Sequence, residues 1–352
     1  MDKTRLSVIV TNYNYARYLP HAIDSVLAQD ADVDLIVVDD ASTDESRSII
    51  RSYGAGRVRP IFLERNMGQG GGFNAGYAAA RGDLVLFLDA DDFMLPGAAS
   101  RIIQNRERGT SLYLYLMRYA DEHGSLSSIH PGRGFSSGDI SELLRTNGRY
   151  HGTITSGMVF SRRLTQPIMP METAGFRQGA DGYLATLAPL YGRVKAHSQV
   201  ISAYRLHDRQ HTRPSPDSFA ARARYRIRHD ESRYRILRSH ARKLGLPVAR
   251  DLARNDEYHI KERLISLMYD PDNHPVADDT VPGLLRECRR IAFQQDSGAR
   301  RYLRAGWWTL LRMLPPRARQ RVFSYEIHPA SRPAWFTKTV RFMKRRLAAV
   351  PG

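Results

Sequence analysis

Residues 84–92 read Leu-Val-Leu-Phe-Leu-Asp-Ala-Asp-Asp, a short apolar run that stops at three carboxylates. Two earlier runs, at residues 6–10 and 34–38, likewise stop at polar or acidic side chains. Apolar runs of this length without alternation are typical of strands buried on both faces of a parallel sheet. Parallel strands end along one edge, where open α/β sheets bind ligands. The sequence therefore predicts an α/β fold with a mostly parallel sheet and an acidic edge.

The carboxylates at this predicted edge come from two places in the sequence, and they are Asp39, Asp40, Asp89, Asp91 and Asp92. Gathered together, they would repel one another unless a cation lay among them. Carboxylate oxygens are hard ligands that suit Mg²⁺ or Mn²⁺. The pattern predicts a divalent metal that carries an anionic substrate. The alternative for a single aspartate is that it caps the helix that follows.

The composition favours a globular protein of a reducing compartment. The chain has 352 residues, which is long enough for one large domain and a smaller one. Cys288 is the single cysteine, so no intramolecular disulfide can form. The first strand begins too early for a signal peptide, and no run approaches the roughly 18 apolar residues of a membrane span. We expect a cytoplasmic protein, with peripheral attachment to the inner face of the membrane as an option.

Positive charge is concentrated in the C-terminal part of the chain. Residues 1–210 hold 23 Lys and Arg against 22 Asp and Glu, whereas residues 211–352 hold 30 against 14. Pro214 and Pro216 mark the change, because proline does not continue a helix. The sequence predicts a catalytic domain at 1–212 and a basic, mainly helical region at 213–352.

A glycine-rich stretch at residues 66–76 precedes the third run. It lacks the third glycine of a dinucleotide fingerprint, and no Lys-Ser or Lys-Thr follows it, which excludes a P-loop. Two interpretations stay open. The stretch is either a mobile loop that leads into a helix at 77–80, or a loop whose backbone closes on a sugar-nucleotide.

Four segments, in this order and spacing, resemble glycosyltransferase family 2: residues 8–14, 37–44, 66–76 and 88–92. The resemblance covers about residues 5–210 of the chain. It implies an inverting enzyme with the GT-A fold, a nucleotide-sugar donor and Mn²⁺ or Mg²⁺ as cofactor. It also implies roles for single residues: a nucleoside pocket at Thr11 and Tyr13, a base contact at Asp40, a nucleotide contact at Asn74, a ribose contact at Asp89 and a metal ligand at Asp91.

The acceptor half of the implied site lies further along the chain. Asp181 precedes a predicted helix at 182–190, and in the resembling family an acid here, often after a glutamate, is the general base. Ala180 stands in place of that glutamate. The segment Tyr204-Arg-Leu-His207 resembles a late element of the family, which implies His207 as a metal ligand and Arg205 as a diphosphate contact. Helix capping by Asp181 and ordinary hydrogen bonding by His207 are the alternatives.

The basic C-terminal region has a helical pattern from residue 219 to 268. Two later segments, Tyr302–Leu314 and Ala334–Leu347, combine aromatic and basic residues at helical spacing. Such amphipathic helices suit an anionic membrane surface. Packing against neighbouring helices and binding of nucleic acid are the alternatives.

The leading hypothesis is a metal-dependent transferase that moves a sugar, with a UDP-sugar as the first candidate donor, to a hydroxyl of a glycan or lipid-linked acceptor. Bacterial surface polysaccharide synthesis is the setting that it suggests. A nucleic-acid-binding protein is disfavoured, because no recognised binding motif accompanies the charge. A sugar nucleotidyltransferase would need a glycine-rich, basic loop after the first strand, where this chain has Thr11-Asn-Tyr-Asn14.

Overall fold

The structure is a computed structural model that describes residues 4–54, 56–131, 134–208, 219–296 and 298–327, together with residues 333 and 338. The chain divides into two compact units. The first unit comprises residues 1–213 and 232–250, and the second comprises residues 214–231 and 251–352.

One sheet runs through the first unit. Its strands are β1 (Leu6–Asn12), β2 (Val33–Asp39), β3 (Arg59–Phe62), β4 (Leu84–Asp89), β5 (Phe93–Met94), β6 (Thr110–Ala120), β7 (Leu126–His130), β8 (Met158–Ser161) and β9 (Arg193–Arg205). The helices between them are α1 (Leu19–Leu27), α2 (Ser46–Ser52), α3 (Gly68–Ala79), α4 (Ala98–Gln104), α5 (Ser141–Asn147), α6 (Arg162–Thr165) and α7 (Ala180–Leu187). The remaining helices are α8 (Phe219–Lys243), α9 (Leu252–Asn255), α10 (Glu257–Tyr269), α11 (Val281–Gln295), α12 (Gly298–Met313) and α13 (Pro316–Ile327).

The strand order is β3-β2-β1-β4-β8-β6-β9-β5, and β7 pairs with β6. Strands β1 to β4 pair in parallel, and so do β6 and β9, whereas β8 is antiparallel to both of its neighbours. The α/β fold is confirmed, with a mixed sheet whose N-terminal half is parallel. The register places Thr11 beside Asp89, and Asn12 beside Asp39. The predicted acidic edge therefore exists.

The three apolar runs are buried on both faces, as their composition predicts. Val8 and Val10 enter one core cluster, whereas Ile9 enters a second cluster on the opposite face of the sheet. Complete burial of a Val, Ile or Leu side chain contributes about 1.5–3 kcal/mol. The rigid strands place the residues that follow them at fixed positions.

The glycine-rich stretch forms the body of a helix. Helix α3 begins at Gly68, nine residues before the helix start that the sequence predicts, so the mobile-loop interpretation is wrong. A Cβ atom added to Gly76 would lie 2.2 Å from Ile9 Cγ2 and 3.2 Å from Val38 Cγ2. The missing side chain thus lets α3 lie close against β1 and β2. Glycine is unfavourable inside a helix, but here it permits the packing.

The second unit has its own apolar core, formed by helices α10 to α13 and the first part of α8. Cys288, Ile291, Trp308 and Leu311 are among its fully or almost fully buried residues. Within the ranges that the structure describes, no helix has the length and hydropathy needed to cross a bilayer. The amphipathic segment predicted at 334–347 lies outside the described residues.

Candidate active site

Asp39 and Asp40, at the end of β2, bind other parts of the protein. Asp39 is fully buried, and it accepts hydrogen bonds from Asn12 Nδ2 at 3.0 Å and Arg47 Nε at 2.9 Å. Asp40 accepts from the backbone amides of Met67 at 2.6 Å and Gly68 at 2.7 Å, and burial raises its pKa. Asp40 therefore holds the start of α3, which lines the same edge. Its contact with a nucleotide base stays a prediction.

Asp89, Asp91 and His207 meet at the end of β4. The Nε2 atom of His207 lies 3.0 Å from Oδ2 of Asp91. The imidazole of His207 is buried against the rings of Tyr15 and Tyr18, at centroid distances of 5.7 and 4.6 Å. The structure thus brings together the two residues that the sequence assigns to a metal.

The carboxylates of this cluster lie close enough to raise one another's pKa values. Burial, the charge of Asp91 and the charge of Asp181 together raise the pKa of Asp89 to about 8. Burial and the charges of Asp91, Asp89 and Asp92 raise the pKa of the Tyr15 hydroxyl. Clustered carboxylates with raised pKa values are typical of sites that bind cations or move protons.

Asp92 has a positioning role. Its carboxylate accepts hydrogen bonds from Ser156 Oγ at 2.6 Å and from the Arg205 amide at 3.0 Å. Burial and the neighbouring Asp91 and Asp89 raise its pKa well above the usual value. Ser156 Oγ also accepts from the Asp89 amide at 3.2 Å, so it joins two members of the acidic motif. The sequence gives no signal for Ser156 beyond its place in a run of small residues.

Arg205 contacts groups of the protein itself, and the diphosphate contact that the resemblance implies stays a prediction. Its Nε donates to the Asp91 carbonyl at 2.8 Å, its Nη1 donates to the Glu122 carbonyl at 2.9 Å, and its Nη2 lies 2.8 Å from His21 Nδ1. The residue is buried, with its guanidinium near the rings of Tyr18 and Phe93. These contacts hold the backbone of the acidic motif and point the guanidinium into the protein.

Asn74 also has a structural partner where the sequence predicts a nucleotide contact. Its Nδ2 donates to the Met171 carbonyl at 2.9 Å, and its Oδ1 accepts from the Met171 amide at 2.7 Å. This pair ties α3 to the segment before α7, and the nucleotide contact of Asn74 stays a prediction. Thr11 is half-buried at the end of β1 and Tyr13 is exposed just beyond it, so both stay candidates for the nucleoside pocket.

Gln69 connects the donor and acceptor halves of the candidate site. Its Nε2 donates to Asp89 Oδ1 at 3.3 Å, and its Oε1 accepts from the Ala180 amide at 3.0 Å. Asp181, the candidate base, is the next residue, in the first turn of α7. The left-handed backbone of Gly179, with φ of 69°, begins that helix. Sequence reasoning missed Gln69, because nothing in a glycine-rich helix marks it.

A divalent metal fits the chemistry of Asp91 and His207. The pair offers carboxylate oxygen and imidazole nitrogen, and the carboxylate of Asp89 lies beside it. Among the described residues, no three His, Cys, Asp or Glu side chains are arranged to hold a metal alone. Mg²⁺ is commonly held by one or two carboxylates with water and substrate phosphates completing the shell. The donor set agrees with such a shared site.

Comparison with known proteins agrees with this geometry. The sequence model of Glycosyl transferase family 2 matches residues 7–168. An uncharacterized glycosyltransferase of Nostoc sp. is 37% identical over 58% of this chain and 65% of its own length. A second, from Methanocaldococcus jannaschii, is 32% identical over 59% of this chain and 73% of its own length.

A third relative is the GalNAc(5)-diNAcBac-PP-undecaprenol beta-1,3-glucosyltransferase of Campylobacter jejuni, which is 30% identical over 46% of this chain and 55% of its own length. The chain spans less than two thirds of the length of the Nostoc and Campylobacter relatives. A mannosyltransferase of Pyrobaculum calidifontis, solved with GDP-Man and Mn²⁺, has a similar fold, with a TM-score of 0.50, 18% identity and coverage of 90% of this chain and 83% of its own. The chain belongs to glycosyltransferase family 2 and has the GT-A fold.

Proposed function

We propose that this chain is an inverting glycosyltransferase that moves a sugar from a nucleotide-diphosphate sugar to a hydroxyl of a glycan or lipid-linked acceptor. The observation that carries the proposal is the linked cluster of Asp89, Asp91 and His207, which Gln69 joins to the helix start that bears Asp181. The Campylobacter relative is named for an undecaprenol-linked acceptor, which supports a lipid-linked acceptor here.

The donor nucleotide would lie along the ends of β1, β2 and β4. Thr11 and Tyr13 would line the nucleoside pocket. Asp40 would accept a hydrogen bond from an N–H group of the base, and Asp89 would contact the ribose. A UDP-sugar is the first candidate because the resemblance implies uracil beside Asp40. GDP-sugars are the second candidate, since the mannosyltransferase of similar fold was solved with GDP-Man.

Asp91 and His207 would hold Mn²⁺ or Mg²⁺ beside the diphosphate. When bound, the metal neutralises the charge that builds on the departing diphosphate. Asp92 and Arg205 serve this arrangement indirectly, because both hold the backbone of the motif in place. Tyr15 and Tyr18 confine the imidazole of His207 from the other side.

Asp181 would accept the proton of the acceptor hydroxyl. As that proton leaves, the hydroxyl oxygen bonds to the anomeric carbon, and the bond from that carbon to the phosphate oxygen breaks. Attack opposite the leaving group inverts the configuration, as in inverting glycosidases with an alcohol in place of water. Ala180 cannot share this task, so the proposal depends on Asp181 alone.

The wider setting is also part of the proposal. The catalytic domain would comprise residues 1–212, and the basic region at 213–352 would contact the acceptor or a membrane surface. A cytoplasmic location, with peripheral binding at the inner face of the membrane, would give access to both the nucleotide-sugar and a lipid-linked acceptor.

Thermal unfolding with UDP, GDP and dTDP, each with Mn²⁺ or with EDTA, tests the donor assignment. We expect one diphosphate to raise the unfolding temperature strongly with Mn²⁺ and weakly with EDTA. That result would identify the base and show the metal dependence together. Equal or absent stabilisation by all three nucleotides, with and without metal, would contradict the proposal.

Two variants separate metal binding from proton removal. Asp91→Asn should lose the Mn²⁺-dependent stabilisation by nucleotide, because the variant lacks a charged ligand. Asp181→Asn should keep that stabilisation and lose turnover by about 100-fold or more, as expected for removal of a general base. Asp32→Asn, at an exposed carboxylate, is the matched control and should change neither property. Full activity of Asp181→Asn would exclude it as the base.

A further inference from the structure

Helix α12 has two apolar faces, and among the described residues the core of the second unit uses one of them. Ala305, Trp308 and Leu311 are buried in that core. Helical spacing places Leu303 and Leu310 on a different side of the helix from Ala305 and Trp308, and both leucines are exposed. A helix that is apolar on both sides normally has a neighbour on each of them.

The second apolar face is continuous and well exposed. We call it the α12 surface. It comprises Tyr302, Leu303, Leu310 and Met313, whose side chains are 66%, 42%, 49% and 79% exposed, respectively. Phe293 of α11 extends it, since its ring meets the edge of Tyr302 at a centroid distance of 6.0 Å. Scattered exposed apolar residues are ordinary on a protein, but a contiguous group indicates an interaction site.

Arginine predominates in the sequence around the α12 surface, although Arg300 and Arg304 pair with the acidic Asp296 and Glu257. The sequence between Asp296 and Glu326 contains no acidic residue, and it contains seven arginines. Arg312 is exposed near one end of the surface, and the guanidinium of Arg289 lies 5.7 Å from the Phe293 ring near the other. An aromatic and aliphatic face with arginines around it matches an anionic bilayer, where apolar groups enter the headgroup region and arginines meet lipid phosphates.

We propose that the α12 surface docks the protein onto an anionic membrane. Two other occupants fit the observations less well. A second copy that paired through the same surface would bring two arginine-rich helices together, because a two-fold interface places like patches opposite each other. A nucleic acid would satisfy the arginines but leave Leu310 and Met313 in water. The proposal does not depend on the reaction that the first unit performs.

Sedimentation of the full chain with vesicles tests the proposal. One set of vesicles contains phosphatidylcholine alone, and the other contains phosphatidylcholine with one quarter phosphatidylglycerol. We expect binding to the anionic vesicles only, and weaker binding at high salt. The variant Leu303→Gln/Leu310→Gln/Met313→Gln should reduce the partition coefficient at least about tenfold, since membrane binding scales with the apolar area that is buried. Glutamine preserves helix propensity.

Two control variants make the result specific. The variant Leu126→Gln/Ile129→Gln/Leu244→Gln removes three exposed apolar side chains from the first unit and should bind as the parent does. Arg289→Gln/Arg312→Gln should weaken binding more than Arg57→Gln/Arg108→Gln, which removes equal charge from exposed positions of the first unit. Circular dichroism verifies that every variant is folded.

Three outcomes would overturn the proposal. The first is an absence of binding to anionic vesicles. The second is undiminished binding by the triple variant of the α12 surface, which would assign the membrane contact elsewhere. The third is a concentration-dependent dimer, seen by light scattering, that the same triple variant dissolves. Nucleotide-dependent stabilisation should persist in the triple variant, so failure here and failure of the proposed transferase activity remain distinguishable.

Discussion

At the scale of single residues, Gln69 connects the two halves of the candidate site. One amide group holds Asp89, on the proposed donor side, and the start of the helix that bears Asp181. Positions of this kind set the separation between a leaving group and a base, and small errors in that separation cost rate. Gln69 would therefore position the reacting groups and take no direct part in the reaction.

We expect Gln69→Ala to lower kcat about tenfold, which corresponds to the loss of one or two ordinary hydrogen bonds. Nucleotide-dependent thermal stabilisation should change little, because Asp91 and His207 remain. Steady-state kinetics with the identified donor measures the effect, and Gln104→Ala, at an exposed position on α4, is the control. An unchanged kcat would show that the link has no positioning role.

Arg205 gives a second prediction at this scale. Its guanidinium contacts two backbone carbonyls and His21, and lysine cannot reproduce that fork of donors. Arg205→Lys should therefore lower the free energy of unfolding by about 2–3 kcal/mol, since buried acceptors lose their partners. Chemical denaturation measures it. A variant with normal stability and selectively weaker diphosphate binding would instead support the diphosphate contact that the resemblance implies.

At the scale of elements, the close packing of α3 on the sheet depends on glycine. We expect Gly76→Ala to destabilise the first unit by about 1–3 kcal/mol, the usual cost of overpacking, because the new methyl group would meet Ile9. Gly72→Ala is the control on the same helix, since its nearest neighbour, Thr11 Cγ2, would lie 3.4 Å away. It should be neutral or slightly stabilising through helix propensity. Equal effects of the two changes would contradict the packing argument.

The elements also show what sequence patterns can reveal. Strands β1, β2 and β4 were predictable because double burial demands unbroken apolar runs, and their polar ends predicted the acidic edge. The helix at residues 68–76 was not predictable, because glycine's low helix propensity favours a loop. The close packing against Ile9 that favours glycine at position 76 is visible only in the tertiary structure. The hydrogen-bond partners of Asn74 and Arg205 could not be predicted from the sequence for a related reason. A motif gives residue types in order, whereas Met171 and Glu122 enter only through tertiary structure.

At the scale of the whole molecule, the single cysteine can be used to follow the unfolding of the second unit. Cys288 is fully buried in that unit's core, and burial raises the pKa of its thiol. Reactive thiolate is therefore scarce in the folded protein. We expect a thiol reagent to label Cys288 only when the second unit opens, so labelling should rise together with the loss of helical signal in denaturant. Rapid labelling under native conditions would contradict the buried position.

The residues of the candidate site lie far apart in the sequence. Asp89 and Asp91 lie within the segment that the family model matches, which ends at residue 168, whereas Asp181, Arg205 and His207 follow it. An expression fragment trimmed to that match would keep the acidic motif but lack its imidazole partner, its backbone support and the candidate base. Any minimal catalytic fragment designed from this chain must therefore extend at least through β9 to His207.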